Sequence, residues 1–347
     1  MQVNGVHYTS VWADGDSVVI INQQKLPFDF ELLRFTEVGE VIEAIASLKV
    51  RGAPAIGIAA AYAMWLSAIK NGEVTLHDFT RLVECRPTAV NLKRGAEFVF
   101  NQAFQKGLLT NQVLLLAQKF AENEMEACRV IGFNGAALIE ELFAKKSEQI
   151  HVLTHCNAGW LACGDYGTAL APIFEAHRRG VPIHVWVDET RPLNQGARLT
   201  AWELANEHIS FDIISDNSGA LLMMQNKVDC IVVGADRIVK NGDVANKIGT
   251  YQKALAAHEH HVPFWVAAPL TTFDFTIEKG MDIPIEQRNG EELQKIKGCY
   301  NNKERIEIEL FPSSYPAMNH AFDITPAKFV DAYITEQGIL KNTSELL

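Results

Sequence analysis

Residues 150–191 read IHVLTHCNAGWLACGDYGTALAPIFEAHRRGVPIHVWVDETR. Short apolar runs at 150–154 and 183–187 flank a stretch with helical spacing near 166–179. The same alternation continues along the chain, with further β-rich runs at residues 211–214, 230–233 and 264–267. Strands that alternate with helices and are apolar along most of their length are typical of a parallel sheet covered on both faces. The sequence therefore predicts an α/β fold for this part of the chain.

The N-terminal third has a helical pattern instead, with apolar residues at helical spacing in 35–49 and 111–146. Asn134-Gly135 is a candidate break in the second run. Between the two runs, residues 53–69 read APAIGIAAAYAMWLSAI, an apolar stretch close to the length of a membrane span. Pro54 near its start and its many small residues favour a buried, alanine-rich core helix. We therefore predict no association with a membrane.

Length and composition bound the class of protein. A chain of 347 residues suggests about two domains, which the change of pattern places at residues 1–125 and 126–347. The net charge of −11 argues against a nucleic-acid partner, because phosphate backbones require clustered Lys and Arg. The six cysteines form no Cys-x-x-Cys pair, and the first residues have no pattern of a secretory signal. These features predict a reduced, cytoplasmic location.

Polar clusters follow four of the predicted strands at the point where each strand ends. Ligands of open α/β sheets bind beyond the carboxyl ends of the strands, so these clusters are expected to meet at one crevice. The clusters are His155-Cys156-Asn157-Ala158-Gly159, Asp188-Glu189-Thr190-Arg191, Asp216-Asn217 and Gly234-Ala235-Asp236-Arg237.

Two of these residues are candidate catalytic residues. Cys156 is either a small core side chain or a reactive thiol at a strand end. Asp236 follows the apolar run CIVVGA, and an apolar pocket would raise the pKa of its carboxyl and suit it to donate a proton. Its other interpretation is a helix-capping carboxylate or one paired with Arg237 or Arg191.

Two arginine-containing turns are candidates for binding an anion. Arg51-Gly52-Ala53-Pro54 precedes the alanine-rich helix, where small residues would let an anion approach the free N–H groups of a helix N-terminus. Arg86 begins a second turn and suits bidentate contact with a phosphate. The alternative for the first is an ordinary turn before a helix, and the alternative for Arg86 is a solvated surface residue. Asn246-Lys247 is expected to begin a helix and to place an amide and an ammonium at the crevice.

Sequence patterns of cofactor sites are missing. The chain has neither Gly-x-x-x-x-Gly-Lys-Ser/Thr nor a strand leading into Gly-x-Gly-x-x-Gly, which argues against a nucleotide site and a nicotinamide dehydrogenase. His258-Glu259-His260-His261 lacks the His-Glu-x-x-His spacing of zinc proteases. We therefore expect no cofactor and no metal.

The strand-end clusters and turns together resemble the methylthioribose-1-phosphate isomerase family. The resemblance runs in order over most of the chain and extends to a wider group that includes regulatory subunits of a translation-initiation exchange factor and ribose-1,5-bisphosphate isomerases. The motifs that carry it are VRGAPAIG at 50–57, RPTAVNL at 86–92, THCNAG at 154–159, DYGTAL at 165–170, DETRPLNQGARLTAWEL at 188–204, GADRI at 234–238, NGDVANKIGTY at 241–251 and NHAFDITP at 319–326. Trp160 and His320 lie where the pattern departs from the family's.

The resemblance implies a Rossmann-like parallel-sheet C-terminal domain, a smaller, mostly helical N-terminal domain, a homodimer and no cofactor. It implies that Cys156 and Asp236 are catalytic. It implies a substrate-binding set of Arg51, Gly52, Ala53, Arg86, Gln195, Asn246 and Lys247. The expected ligand is a small sugar phosphate.

The implied activity is an aldose–ketose isomerisation of 5-methylthioribose 1-phosphate in methionine salvage. Close alternatives are an isomerase of 5-deoxyribose 1-phosphate or ribose 1,5-bisphosphate, and an alternative of another class is a non-catalytic translation-factor subunit. Because the phosphate blocks the anomeric oxygen, the ring must open before hydrogen moves from C2 to C1. The shift can proceed through an enediol or as a hydride, and a dry pocket favours the hydride.

Overall fold

The chain begins with short antiparallel strands, which the helical pattern of this region did not predict. The computed structural model describes residues 1–86, 89–301 and 304–346. The first two strands pair with each other, and the next three form a separate three-stranded sheet. The strands are β1 Gln2–Val3, β2 Val6–His7, β3 Val11–Asp14, β4 Ser17–Ile21 and β5 Leu32–Phe35.

Five helices complete the N-terminal region: α1 Val38–Ala46, α2 Ala53–Asn71, α3 Leu76–Glu84, α4 Val90–Lys106 and α5 Thr110–Lys146. Helix α2 is long and apolar enough to cross a membrane, but 83% of its most apolar window is buried against the rest of the chain. It is therefore the core helix that its small residues predicted, packed against α1, α4 and α5.

Helix α5 is continuous, so the chain does not break at the candidate position Asn134-Gly135. A side chain at Gly135 would overlap Pro172, and the glycine instead lets this helix pack closely on its neighbour. The helix passes through residues 125 and 126, where the two domains were expected to meet. That boundary remains a proposal.

After α5 the chain alternates between strands and helices as predicted. The elements up to the fourth long strand are β6 Ile150–Thr154, α6 Leu170–Arg178, β7 Ile183–Asp188, α7 Ala201–Asn206, β8 Ser210–Ile214, α8 Gly219–Met224 and β9 Cys230–Val233. Those that follow are β10 Arg237–Val239, β11 Val244–Lys247, α9 Thr250–Glu259, β12 Phe264–Ala267, β13 Phe273–Asp274, β14 Gln287–Arg288, α10 Glu291–Gln294, β15 Lys295–Tyr300, β16 Glu304–Glu309, β17 Asn319–His320, β18 Phe322–Thr325, β19 Ala332–Thr335 and β20 Gly338–Leu340.

The main sheet has seven strands in the order β20-β19-β12-β9-β6-β7-β8. All neighbours are parallel except β19 and the terminal β20. Numbered along the chain, the six parallel strands have the order 3-2-1-4-5-6, which is the doubly wound Rossmann arrangement. The predicted α/β fold with a Rossmann-like C-terminal domain and a mostly helical N-terminal region is confirmed.

Alternate residues of the strands enter two separate cores, one on each face of the sheet. Val152 and Val232 pack with residues of α5, α6 and α7, whereas Leu153 and Val233 pack with residues of α8 and α9. Side chains of successive strand residues point to opposite faces, so both faces of the sheet are covered. The topological switch point lies between β6 and β9, from which the chain winds outward in both directions.

A second sheet lies beside this switch point, in the strand order β13-β10-β11-β18. The prediction that Asn246-Lys247 begins a helix is wrong, because both residues belong to β11 and pair with β18. The helix begins at Thr250, after a left-handed turn at Gly249. Two-stranded ribbons, β14 with β17 and β15 with β16, complete the described structure.

Candidate active site

A cleft opens at the switch point, beyond the carboxyl ends of β6 and β9. Cys156 follows β6 by two residues and Asp236 follows β9 by three, so the parallel strands bring the two side chains to one place. The turns before α2 and after α3 close the cleft from the N-terminal side. All the predicted site residues line it: Arg51, Gly52, Ala53, Arg86, Cys156, Gln195, Asp236, Asn246 and Lys247.

Cys156 is held in a strained backbone conformation. Its φ is +66°, a left-handed value that is uncommon for a residue with a side chain. Its N–H donates to Thr190 Oγ1 at 2.8 Å, and its carbonyl accepts from Thr200 Oγ1 at 2.7 Å. The hydroxyl of Thr190, from a predicted strand-end cluster, and that of Thr200, which the sequence analysis did not single out, therefore fix the loop that presents the thiol. The Cys156 side chain is largely buried, and the residue is 8% exposed.

Asp236 lies among cationic groups at the inner end of the cleft. Burial raises the pKa of its carboxyl, although Lys247, Arg86 and Arg51 act in the opposite direction. Burial also lowers the pKa of the Lys247 ammonium, against the attraction of Cys156 and Asp236. A raised pKa makes a carboxyl better suited to act as a general acid.

The alternative partners of Asp236 are engaged elsewhere. Arg237 forms an ion pair with Asp274 at 3.4 Å. Arg191 donates to the carbonyls of Pro192 and Leu293. Neither pairing involves Asp236.

The first predicted turn has the geometry expected of an anion-binding helix start. Gly52 has φ +101° and caps α2, and a side chain there would overlap Ala162. Arg51 beside it is fixed by Asn157, whose side-chain oxygen accepts from Nη1 at 2.6 Å and whose carbonyl accepts from Nη2 at 2.7 Å. The free N–H groups of α2 and the guanidinium thus face the same cleft.

The second predicted turn contributes Arg86, while Pro87 and Thr88 of the same motif lie outside the described residues. Arg86 donates to Glu286 at 3.2 Å, and Arg288 donates to the same carboxylate at 2.9 Å. Arg288 also donates to Glu292. Apart from Arg86, the residues of this charged network lie in the segment 286–292 at the mouth of the cleft. The sequence analysis identified no functional residue in that segment.

Gln195 and Asn246 both line the cleft. Within the described part of the chain, Gln195 Oε1 is buried and has no hydrogen-bond partner. The Asn246 amide donates to Thr250 Oγ1 at 3.0 Å, which directs its side chain from the end of β11. An unpaired buried oxygen is costly, and a hydroxyl group of a ligand would satisfy it.

One cluster beside the cleft could be mistaken for a metal site. His155, Asp188 and Asp216 place potential ligand atoms within 4.8 Å of one another. However, the Lys253 ammonium lies 3.0 Å from Asp188 Oδ2 and donates to the carbonyl of Asp216 at 2.8 Å. The chain therefore supplies its own cation there, and the cluster does not fit an added metal ion. The expectation that the protein needs no metal remains a prediction.

The sequence and the fold both match known proteins. The model of the initiation factor 2 subunit family matches residues 49–342. A methylthioribose-1-phosphate isomerase of Desulfatibacillum aliphaticivorans is 44% identical over 99% of this chain and 97% of its own length. The chain therefore belongs to the initiation factor 2 subunit family, and its full-length relatives place it among the methylthioribose-1-phosphate isomerases of that family.

Two solved structures show the same fold. The 5-methylthioribose 1-phosphate isomerase of Pyrococcus horikoshii OT3 has a TM-score of 0.84 and 37% identity, covering 98% of this chain and 95% of the other. A chain described as translation initiation factor eIF-2B, subunit delta, from A. fulgidus has a TM-score of 0.78 and 38% identity, with 98% of each chain covered. The fold alone is thus shared by proteins described as an enzyme and as a translation factor.

Proposed function

We propose that this protein converts 5-methylthioribose 1-phosphate into 5-methylthioribulose 1-phosphate. The observation that carries the proposal is the cleft at the switch point, which holds both Cys156 and Asp236 beside the cationic groups of Arg51, Arg86 and Lys247. A non-catalytic subunit has no need of a thiol and a carboxyl of raised pKa in one crevice with three cationic groups. The names of the full-length relatives support the same activity.

The first chemical step opens the furanose ring. Asp236 donates its proton to the ring oxygen as the bond between that oxygen and C1 breaks, which leaves a hydroxyl on C4 and positive charge at C1. The raised pKa of the Asp236 carboxyl supports this role, since an ionised carboxylate has no proton to give. The phosphate remains bound at the start of α2 and near Arg86, which holds C1 beside the acid.

The second step moves hydrogen from C2 to C1. As a hydride leaves C2 for the electron-poor C1, the C2 hydroxyl loses its proton to a base in the cleft, and a C2 ketone forms. The alternative route removes the C2 hydrogen as a proton and returns a proton to C1 through an enediol. Cys156 is the candidate base or charge-stabilising group in either route.

The lining of the cleft favours an apolar 5-substituent over a second phosphate. Near Asp236 the wall consists largely of aliphatic and aromatic side chains, namely Ile56, Val90, Ile283, Ile285 and Phe322. Within the described residues, the further cations are Arg237, which lines the same wall and pairs with Asp274, and Arg288 at the mouth, which pairs with Glu286 and Glu292. A methylthio group gains from burial on such a wall, whereas a dianion there would have to compete with carboxylates for these arginines.

The test is turnover of three substrates by the same preparation: 5-methylthioribose 1-phosphate, 5-deoxyribose 1-phosphate and ribose 1,5-bisphosphate. NMR would detect the C2 ketone of each product. We expect the highest kcat/KM for the methylthio compound. A preference for the bisphosphate would reassign the substrate, and turnover of none would favour the translation-factor alternative, for which the A. fulgidus protein is the precedent.

The biological setting is part of the same proposal. A phosphorylated methylthio sugar is an intermediate of methionine salvage, which is a cytoplasmic pathway, and we propose that the protein acts there. We also propose that it is a homodimer. Sedimentation equilibrium over a range of concentrations would test this, and a single species with the mass of one chain would contradict it.

A further inference from the structure

A buried carboxylate lies directly behind the cleft wall. Glu203 is on α7 and is 0% exposed. It accepts hydrogen bonds from the Asn157 side-chain amide at 2.8 Å, from the Trp160 N–H at 2.8 Å and from the Leu161 N–H at 3.4 Å. A side chain at Gly159 would overlap this carboxylate, so the loop after Cys156 is shaped to close around it.

Asn157 connects this carboxylate to the cleft. Its amide NH₂ donates to Glu203 at 2.8 Å and, at the longer distance of 3.2 Å, to Thr200 Oγ1, and its amide oxygen accepts from Arg51 Nη1 at 2.6 Å. The two ends of the amide are chemically different, so an acceptor behind Asn157 determines that its oxygen faces forward. If the amide were reversed, its NH₂ would face the guanidinium, which has only donors. Arg51 would then lose one of its two contacts with Asn157.

We propose that Glu203 is a positioning residue that directs the Arg51 guanidinium at the substrate phosphate by fixing the orientation of the Asn157 amide. This inference rests on the proposed function of the cleft. Glu203 does not line the cleft itself and acts only through Asn157.

The electrostatic situation of Glu203 supports this assignment. Burial raises the pKa of its carboxyl to about 7, against the opposing effects of its hydrogen-bond donors and of Arg51. Keeping a carboxylate in the core costs stability, and an apolar or amide side chain of similar size would avoid that cost. Residues that violate the rules of stable packing are concentrated at functional sites.

The first variant is Glu203→Gln, which keeps the shape and removes the charge. The new amide keeps the hydrogen bond from the Trp160 N–H only if its NH₂ group faces Asn157, and Asn157 then reverses to accept from that group. We expect KM for 5-methylthioribose 1-phosphate to rise about tenfold, the size of one lost charge-assisted hydrogen bond. The value of kcat should change less than KM. Glu207→Gln is the matched control, since Glu207 follows the same helix and pairs with Arg178 away from the cleft.

The second variant exchanges the donor and acceptor roles of positions 157 and 203. In Glu203→Gln combined with Asn157→Asp, the amide at position 203 donates to the carboxylate at position 157, which still accepts from Arg51. We expect the double variant to return to within about fivefold of the wild-type KM, although each single substitution weakens binding. If Glu203 had only a structural role, the increases in KM caused by the two single substitutions would multiply in the double variant.

Binding of inorganic phosphate, measured by calorimetry for every folded variant, separates this inference from the proposed function. If the wild type does not convert the sugar phosphate, the proposed function fails, and phosphate affinity alone decides the role of Glu203. Weaker phosphate binding in Glu203→Gln with recovery in the double variant supports the inference. Unchanged affinity in Glu203→Gln, or no recovery, overturns it.

Circular dichroism would establish which variants fold. If Glu203→Gln does not fold, the double variant alone is decisive: near-wild-type phosphate affinity supports the inference and weak affinity overturns it. Failure of both variants to fold also overturns it, since that would assign Glu203 to the fold and not to Arg51.

Discussion

Arg86 and Glu286 form an ion pair of 3.2 Å that joins two segments 200 residues apart in the chain. Partial burial opposes ionisation of Glu286, but Arg86 and Arg288 hold the pKa of its carboxyl below the usual range. The pair therefore holds the turn before α4 against the segment that leads into β14. A bound phosphate near Arg86 would share the guanidinium with this carboxylate.

The two arginines of the predicted phosphate site should mainly affect binding. We predict that Arg51→Ala and Arg86→Ala each remove a charge-assisted contact worth about 1.5–3 kcal/mol, which raises KM roughly tenfold to a hundredfold. Some loss of kcat is also expected, because the phosphate positions C1. Steady-state kinetics would measure both, with Arg34→Ala, an exposed arginine paired with Asp14, as the control. An unchanged KM in both variants would refute the phosphate site.

Glu124 provides a prediction about stability and pH. It lies buried in α5 and accepts from Thr271, and burial raises the pKa of its carboxyl from 4.5 to about 7. Because the pKa is raised in the folded state, protonation of Glu124 favours folding. This contribution to the free energy of unfolding is full below pH 4.5 and is lost as the pH rises through 7. We predict that Glu124→Gln matches the wild type at pH 4.5 and is more stable by up to about 3 kcal/mol at pH 8.

Chemical denaturation across this range would measure the difference. Glu122→Gln, an exposed change on the same helix, should show no such dependence on pH. A difference between wild type and Glu124→Gln that does not change from pH 4.5 to 8 would contradict the prediction.

Much of the fold could be predicted because hydrophobic pattern determines it. The runs at β6, β9 and β12 coincide with the observed strands, since buried parallel strands are apolar on both faces. The strands β3 to β5 were missed because they are short and lie before the run of helical spacing at 35–49, from which the N-terminal third was predicted to be mostly helical. Asn246 and Lys247 were placed in a helix because the pattern of β11 is too short to separate a strand from a helix start.

The hydrogen shift can be tested with solvent isotope. Burial around Asp236 favours hydride transfer, which moves the C2 hydrogen to C1 without exchange. We predict that turnover in deuterated water gives a product with no deuterium at C1, as measured by mass spectrometry and proton NMR. Substantial deuterium at C1 would instead favour an enediol with an exchanging base.

The site residues that directly follow strands could be predicted from the sequence. Those that contact other site residues from elsewhere in the chain could not. The carboxyl ends of parallel strands meet at the switch point, so Cys156 and Asp236 could be placed together from order alone. Glu203 was missed because its carboxylate lies in an apolar helical stretch, where sequence pattern places a glutamate on the solvent side. Glu286 was missed because its contact with Arg86 depends on the path of a long irregular segment.

Substitutions at the two central residues should abolish the chemistry and leave the fold intact. We predict that Cys156→Ser and Asp236→Asn each lose most of kcat, because the first removes the thiol and the second removes the proton that opens the ring. Melting temperatures close to that of the wild type would establish that the variants are folded. Near-wild-type kcat in either variant would show that its assigned role is wrong.

The most direct measurement follows 5-methylthioribose 1-phosphate labelled with ¹³C at C2 by NMR, in parallel samples of wild type and Asp236→Asn. In the wild type the C2 signal should move from the position of a carbinol carbon to that of a ketone, and in Asp236→Asn it should stay where it began. A wild-type sample whose C2 signal does not move would contradict the account, and so would a ketone that forms equally fast in both.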